Sequence, residues 1–293
     1  MAKATSKLAL LPCLDSGEMS AACRQALEIP RQVAAALGAS AVQAVNEGRY
    51  LDAVGKRVDW SHCVQSARTA KQSIRPDEVL PIPQRNPSRQ TRVQVSNETT
   101  LCAALRLVER GLRPLALNFA NGVQPGGGFL GGARAQEEVL CRSSALYATL
   151  VGDPMYDAHR KREQPDSTDW AIYSPHVPVF RTDDGTALAQ PWPLSFITCA
   201  APYAPEIGQP ESGDLLRQRI HRLLSIASAR GHTALVLGAW GCGAFGNDPH
   251  RTAVDFRQAL EYTLEGLFDD VVFAIADWSP QRRYLGPFRD VFC

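Results

Sequence analysis

From residue 91 onward, short apolar runs alternate with stretches of helical periodicity, and this alternation limits the fold more than any other feature of the chain. Residues 91–96 alternate apolar and polar like a half-buried strand, residues 98–110 carry Leu, Ala and Val at helical spacing, and residues 114–119 form a compact apolar run. The series continues with a helix over 133–150 and a hairpin around 173–180 that turns at Asp183-Asp184-Gly185. A strand over 194–200, a helix over 213–230, a strand over 233–239, a helix over 252–266 and a strand over 271–276 complete it. Buried strands separated by helices of this length predict an α/β fold, a three-layer α/β/α sandwich around a mixed, largely parallel sheet.

The first third reads differently. Residues 1–18 look like a loosely held start, and residues 20–50 are rich in Ala, Gln, Arg and Leu, which favours helix divided at Pro30 and Gly38. Pro76, Pro81, Pro83 and Pro87 mark a connector over 76–90, because so many prolines permit neither a helix nor a central strand. Residues 1–90 are therefore expected to be a helical extension packed on a core formed by 91–293. No repeat or low-complexity tract interrupts either part.

Charge excludes some functions. With 31 basic and 30 acidic residues the net charge is +1, so no broad electrostatic surface for nucleic acid or membrane is expected. Any polyanionic ligand must be gripped locally. The eight cysteines, at 13, 23, 63, 102, 141, 199, 242 and 293, follow neither a zinc nor a thioredoxin spacing. The apolar run at residues 8–11 stops at Pro12, too short for a membrane helix or a signal-peptide core. A reduced, cytoplasmic, monomeric protein is the expectation.

Two glycine-rich segments leave predicted strands, at the edge where α/β sheets bind ligands. The first runs from Leu117 through Asn121, Gly126-Gly127-Gly128 and Gly131-Gly132 into Gln136-Glu137-Glu138 at the start of a helix. The second runs from Leu237 through Gly241-Cys242-Gly243-Ala244-Phe245-Gly246-Asn247. Glycines let backbone N–H groups converge on an anion, and a following helix N-terminus adds to the attraction. Neither segment is a P-loop or a dinucleotide fingerprint. One glycine pair would read as a tight turn, but two such loops, each leaving a buried strand, favour a phosphate-binding cleft. Acidic residues are common in a first helical turn. Here Glu137 and Glu138 diverge by about 100° on the helix, so one does chemistry while the other orients a sugar, rather than the two opposing each other across a bond.

At these residues the chain resembles the poly(ADP-ribose) glycohydrolases of the bacterial and fungal type, members of the macrodomain superfamily. The resemblance rests on Gly126-Gly127-Gly128 followed seven residues later by Gln136-Glu137-Glu138, on Trp240-Gly241-Cys242-Gly243-Ala244-Phe245-Gly246-Asn247, and on Asn118-Phe119-Ala120-Asn121. It covers roughly 90–290 and implies a macrodomain-like fold. It further implies that Glu138 is the catalytic acid and then the base, that Glu137 binds ribose hydroxyls, and that Asn121 binds the distal ribose. Gly127 and Gly128 would admit the ligand closely, with Gln136 beside them. Residues 241–246 would cradle the diphosphate, Phe245 would press on the distal ribose, and Asn247 belongs to the same loop. No metal or cofactor is implied. The substrate would be poly(ADP-ribose) or ADP-ribosylated macromolecules, and the product ADP-ribose; binding alone would not need the second glutamate. Removal of single ADP-ribose units and a non-catalytic ADP-ribose reader are the alternatives.

The remaining candidates carry less. Cys242 has no histidine near it in sequence and reads as a small packing residue in the binding loop. None of the six histidines has metal spacing. An adenine needs an aromatic slot, for which Trp278, Tyr284 and Phe288 stand beyond the last strand, with Asp277 as acceptor for the amino group. Core packing is an equal reading for these aromatics.

Overall fold

In the computed structural model, which describes residues 7–82, 85–86 and 88–293, the alternation after residue 91 resolves into one sheet. The chain begins with strand β1 (Leu8–Leu10), helices α1 (Gly17–Leu27) and α2 (Arg31–Glu47), strands β2 (Arg49–Leu51) and β3 (Arg57–Asp59), helix α3 (Ser61–Ala70) and strand β4 (Gln72–Ile74). Then follow β5 (Thr91–Ser96), α4 (Thr100–Glu109), β6 (Pro114–Ala120), a 3-10 turn (Phe129–Gly131), α5 (Gln136–Ser143), α6 (Tyr147–Leu150), α7 (Pro154–Arg160), β7 (Ala171–Arg181) and β8 (Ala187–Ala200). The last part holds α8 (Ala204–Ile207), α9 (Glu211–Ala229), β9 (Ala234–Leu237), α10 (Pro249–Gln258), a π turn (Ala259–Thr263), β10 (Asp270–Ala274) and α11 (Leu285–Phe292).

The sheet has eight strands in the order β1-β5-β10-β9-β6-β8-β7-β4. All neighbours from β1 to β8 run parallel, and β7 and β4 add antiparallel pairs at the far edge. Period-two alternation sends successive strand residues to opposite faces. Leu115 and Leu117 thus join Leu223, Leu224, Phe256 and Phe288 under α9, α10 and α11, while Ala116 joins Trp60, Leu107 and Leu140 under the other helices. Both faces are covered, giving the three-layer α/β/α sandwich. The glycine loops leave the carboxyl ends of β6 and β9, which are adjacent in the sheet. Among the described residues no helix is long and apolar enough to cross a membrane.

The first third departs from expectation. Residues 8–10 are not loosely held: β1 pairs with β5 from Leu8 opposite Thr91 to Leu10 opposite Val93. Ile74 of β4 lies opposite Ala171, so residues before 91 close both edges of the sheet and are not helical alone. Three-residue strands carry too little periodicity to be read. The proline connector holds no helix or strand among its described residues, and Pro83 and Pro87 lie outside them.

Helix boundaries shift for local reasons. The helix expected over 133–150 breaks after Ser143, where extended Ser144 bridges to Val179 and its Oγ donates to Leu140 O at 2.7 Å. The helix expected over 252–266 gives way to the π turn. Pro30 separates α1 from α2 as expected, but Gly38 does not divide α2. It lies inside the helix because a Cβ there would meet Phe129 O at 2.8 Å, so the glycine lets α2 touch the first glycine loop. Gly38→Ala therefore sets a helix-propensity gain of about 1 kcal/mol against overpacking of about 1–3 kcal/mol. The close neighbour is a backbone atom, so overpacking should win and thermal denaturation should show a lower melting temperature.

Candidate functional site

The site starts at the first turn of α5. Gln136 fixes that turn to β6: its Nε2 donates to Leu117 O at 2.7 Å and to Thr100 Oγ1 at 3.1 Å, and its Oε1 accepts from Phe119 N–H at 2.9 Å. Every polar atom of the amide is thus engaged by protein, so Gln136 positions the helix while it also lines the cleft. Glu137 and Glu138 follow, both buried.

Glu137 Oε2 accepts from Asn121 N–H at 2.7 Å and its Oε1 from Asn118 Nδ2 at 3.3 Å. Burial pushes its carboxyl up to about 8; the Asn121 N–H opposes the rise and the neighbouring Glu138 adds to it. Glu138 Oε1 accepts from Gly128 N–H at 3.0 Å, while Oε2 is buried with no hydrogen bond to the described residues. The two carboxylates converge on Gly127. A Cβ there would lie 2.4 Å from Glu138 Oε1 and 3.1 Å from Glu137 Oε2, at a φ of +55° that L side chains rarely adopt. One α5 turn further, Arg142 is buried and its guanidinium makes no hydrogen bond to the described residues. Burial lowers its pKa, countered by the charges of Asp183 and Glu138.

The loop is held from outside. His159 faces Gly122 O through Nδ1 at 3.0 Å and Thr168 Oγ1 through Nε2 at 2.8 Å; burial lowers its pKa to about 4, which keeps the ring neutral near pH 7. Sequence spacing gave no sign of this bracing role. Asn121 Oδ1 accepts from the N–H groups of Val123 and Gln124, shaping the turn after β6.

The second loop faces the first. Gly241, Gly243, Ala244 and Phe245 line a chamber of about 260 Å3 together with Asn121, Glu137 and Glu138. The N–H groups of Gly243, Ala244 and Phe245 make no hydrogen bond to the described residues, whereas Gly246 N–H is spent on Gly243 O. Asn247 is buried as an internal brace, with Nδ2 donating to Pro202 O at 2.9 Å and Oδ1 accepting from Ser212 Oγ at 2.6 Å. Cys242 points inward too, Sγ 3.6 Å from Thr252 Oγ1, and burial pushes its thiol up to about 12. Asn247, Cys242 and Gly246 therefore shape the loop, and the expectation that they line the ligand site is corrected.

A second chamber, of about 270 Å3, shares Phe119, Ala135, Gln136, Ala239 and Gly243 with the first. Its walls include Trp278, 39% exposed, and Tyr284, with Thr100 and Arg134 as residues the sequence did not single out. Two expected members are elsewhere. Phe288 is fully buried and packs 5.2 Å from the Phe273 ring centroid. Asp277 accepts from Ser279 N–H, Ser279 Oγ, Tyr284 N–H and Leu285 N–H, which ties the segment before α11 and leaves no role toward a base. Burial would raise its pKa, but those hydrogen bonds outweigh it and hold the carboxyl low. No group of three metal-ligating side chains occurs among the described residues.

The cleft can therefore bind an elongated ligand, with free N–H donors at its middle, a carboxylate pair at one end and aromatic walls at the other. Residues 38–182 match the microbial-type PARG catalytic domain. A poly(ADP-ribose) glycohydrolase from Thermomonospora curvata is 39% identical, covering 89% of this chain and 100% of its own, with a TM-score of 0.84. The structure of that organism's enzyme bound to the inhibitor ADP-HPD is 40% identical over 89% of this chain and 100% of its own, with a TM-score of 0.82. The Deinococcus radiodurans enzyme in complex with ADP-ribose is 41% identical over 78% of this chain and 96% of its own, with a TM-score of 0.72. No curated protein matches the chain.

Glu137 gives the site a pH signature. Its carboxyl is held protonated up to about 8 in the folded protein against 4.5 ordinarily, so between these values the native state binds more protons. Stability should then fall as pH rises through that window. Melting temperatures measured from pH 5 to 8 should show the decline in the wild type and a flatter profile in Glu137→Gln.

Proposed function

The chain belongs to the microbial-type poly(ADP-ribose) glycohydrolases, and from that membership we propose that Glu138 is the general acid and base of its reaction. The enzyme hydrolyses ADP-ribose polymers. The observation that carries the assignment of Glu138 is its burial beside Glu137 at the start of α5, with one oxygen held by Gly128 N–H and the other unbonded.

In this reading Glu138 enters protonated and gives its proton to the leaving ribose oxygen as the ribose–ribose C–O bond breaks. The sugar left behind carries oxocarbenium character. Water adds to its anomeric carbon and loses a proton to the Glu138 carboxylate, which restores the acid and releases ADP-ribose. Glu137 and Asn121 hold ribose hydroxyls and set the scissile bond beside Glu138. The free N–H groups of Gly243, Ala244 and Phe245 receive the diphosphate, as an anion nest does without lysines. Phe245 packs on the distal ribose, and adenine enters the second chamber against Trp278, Tyr284 and Phe119.

Cleavage at the free end of the polymer follows from one terminal ADP-ribose filling the cleft. We take the enzyme to act as a monomer, with the described residues before 91 packed on the core of 91–293. A cytoplasmic location is part of this reading, and eight free cysteines are compatible with it.

The test is release of ADP-ribose from poly(ADP-ribose). Glu138→Gln should lower the rate by at least about 100-fold while calorimetry still detects ADP-ribose binding; an active variant would remove Glu138 from the mechanism. Wild-type enzyme that spared the polymer but cleaved single-unit conjugates would move the reading to mono-ADP-ribosyl hydrolysis. Gly127→Ala should also cost about 100-fold or more, since its Cβ displaces both carboxylates. Circular dichroism should show its fold retained.

A further inference from the structure

At the opposite end of the parallel strands from the cleft lies a hollow of about 510 Å3, bounded by the turn before β6, the turn before β9 and an irregular stretch of β7 and β8. We propose that this hollow binds the phosphate oxygens of a second anionic ligand. Its walls carry Arg113, Arg230, His176 and His232, and none of the described lining residues is acidic, Glu78 reaching Arg230 from outside them.

Arg113 is uncompensated among the described residues, and Arg230 is compensated only in part. Arg113 has no side-chain hydrogen bond or ion pair among the described residues. Arg230 has a buried Nε with no partner, lies 5.9 Å over the Tyr173 ring, and reaches Glu78 only at 3.6 Å. That separation is long for a hydrogen bond. The other polar groups of the hollow are already fixed. Tyr173 Oη lies 2.8 Å from His232 Nε2, and His232 Nδ1 lies 3.3 Å from Arg113 O. A donating Nδ1–H leaves Nε2 to accept from the tyrosine hydroxyl, so the pair braces the wall. A forked guanidinium with no carboxylate partner at Arg113, beside one held only loosely by Glu78 at Arg230, suits a phosphate.

The backbone adds an independent sign. His176 sits where the β7–β8 register shifts, at a φ of +51°, and its N–H donates to Ser195 Oγ at 3.2 Å. A non-glycine residue in the left-handed region costs conformational energy and is kept where surrounding structure or function demands it. Here it turns the His176 side chain into the wall of the hollow instead of continuing the strand.

The ligand chemistry has two sources, a free organic phosphate or a distal diphosphate of the polymer; only the second rests on the proposed function. Titration calorimetry of inorganic pyrophosphate into the full chain, with the cleft filled by one molar equivalent of ADP-ribose, should detect one further site. Arg113→Ala/Arg230→Ala should weaken it at least tenfold, with the melting temperature and ADP-ribose release from short polymer unchanged. Absence of that site in the wild type, or equal affinity in the folded double variant, overturns the proposal. The pyrophosphate comparison requires no catalysis, so its failure is distinct from failure of the glycohydrolase mechanism. In a Glu138→Gln background, loss of preference for long over short polymer in the double variant identifies the polymer as source. Retained preference with lost pyrophosphate binding identifies a free organic phosphate.

Discussion

Two adjacent carboxylates are buried at one helix start, and most of the surrounding architecture answers to that burial. Removing an ionisable group from water is costly unless hydrogen bonds or opposite charge replace the lost hydration. Glu137 and Glu138 meet the N–H groups of Asn121 and Gly128, with Asn118 as a further donor to Glu137. Backbone donors are usable only if the loop wraps tightly around the carboxylates, and at Gly127 there is no room for any side chain. The loop in turn depends on Gln136 at β6, on His159 at Gly122 and on Gly38 against Phe129. Arg142 completes the charge balance from behind, flanked by Glu138 and Asp183.

The two glycine loops look alike in composition and do opposite electrostatic work. The first turns backbone donors inward, onto the protein's own carboxylates. The second leaves the donors of Gly243, Ala244 and Phe245 unbonded beside the cleft while Asn247 ties its ends together. One loop thereby holds the acidic pair, and the other presents the partial positive charge of its backbone donors to the cleft. Their strands are neighbours in the sheet, which brings residues 121–138 and 241–245 to one cleft.

How much was readable from sequence follows from how local each feature is. The strands β5 and β6, the order of the loops and the positions of Glu137 and Glu138 are written in contiguous residues, so the sheet and the acidic end of the cleft were legible. Side-chain direction within a loop was not. Cys242 and Asn247 lie in the binding segment yet point into the protein, and Gln136 turns to β6. Phe288 was misread although a signal existed: Leu285, Phe288 and Phe292 recur at the spacing of one helical face, and all three are buried. Asp277 gave no such signal, because its four donors come from a loop whose path sequence does not specify.

The closure of both sheet edges by residues from the first third sets an order on biosynthesis. Leu8 must find Thr91, and Ile74 must find Ala171, so each early strand leaves the ribosome well before its partner exists. At about 5–20 residues per second, β4 waits on the order of ten seconds for β7. During that interval a nascent chain displays unpaired strand, and the first glycine loop emerges before β7 and β8 can form the sheet beside it. The cleft is consequently a late product of translation: its second loop and the aromatic wall at Trp278 are made after the acidic end.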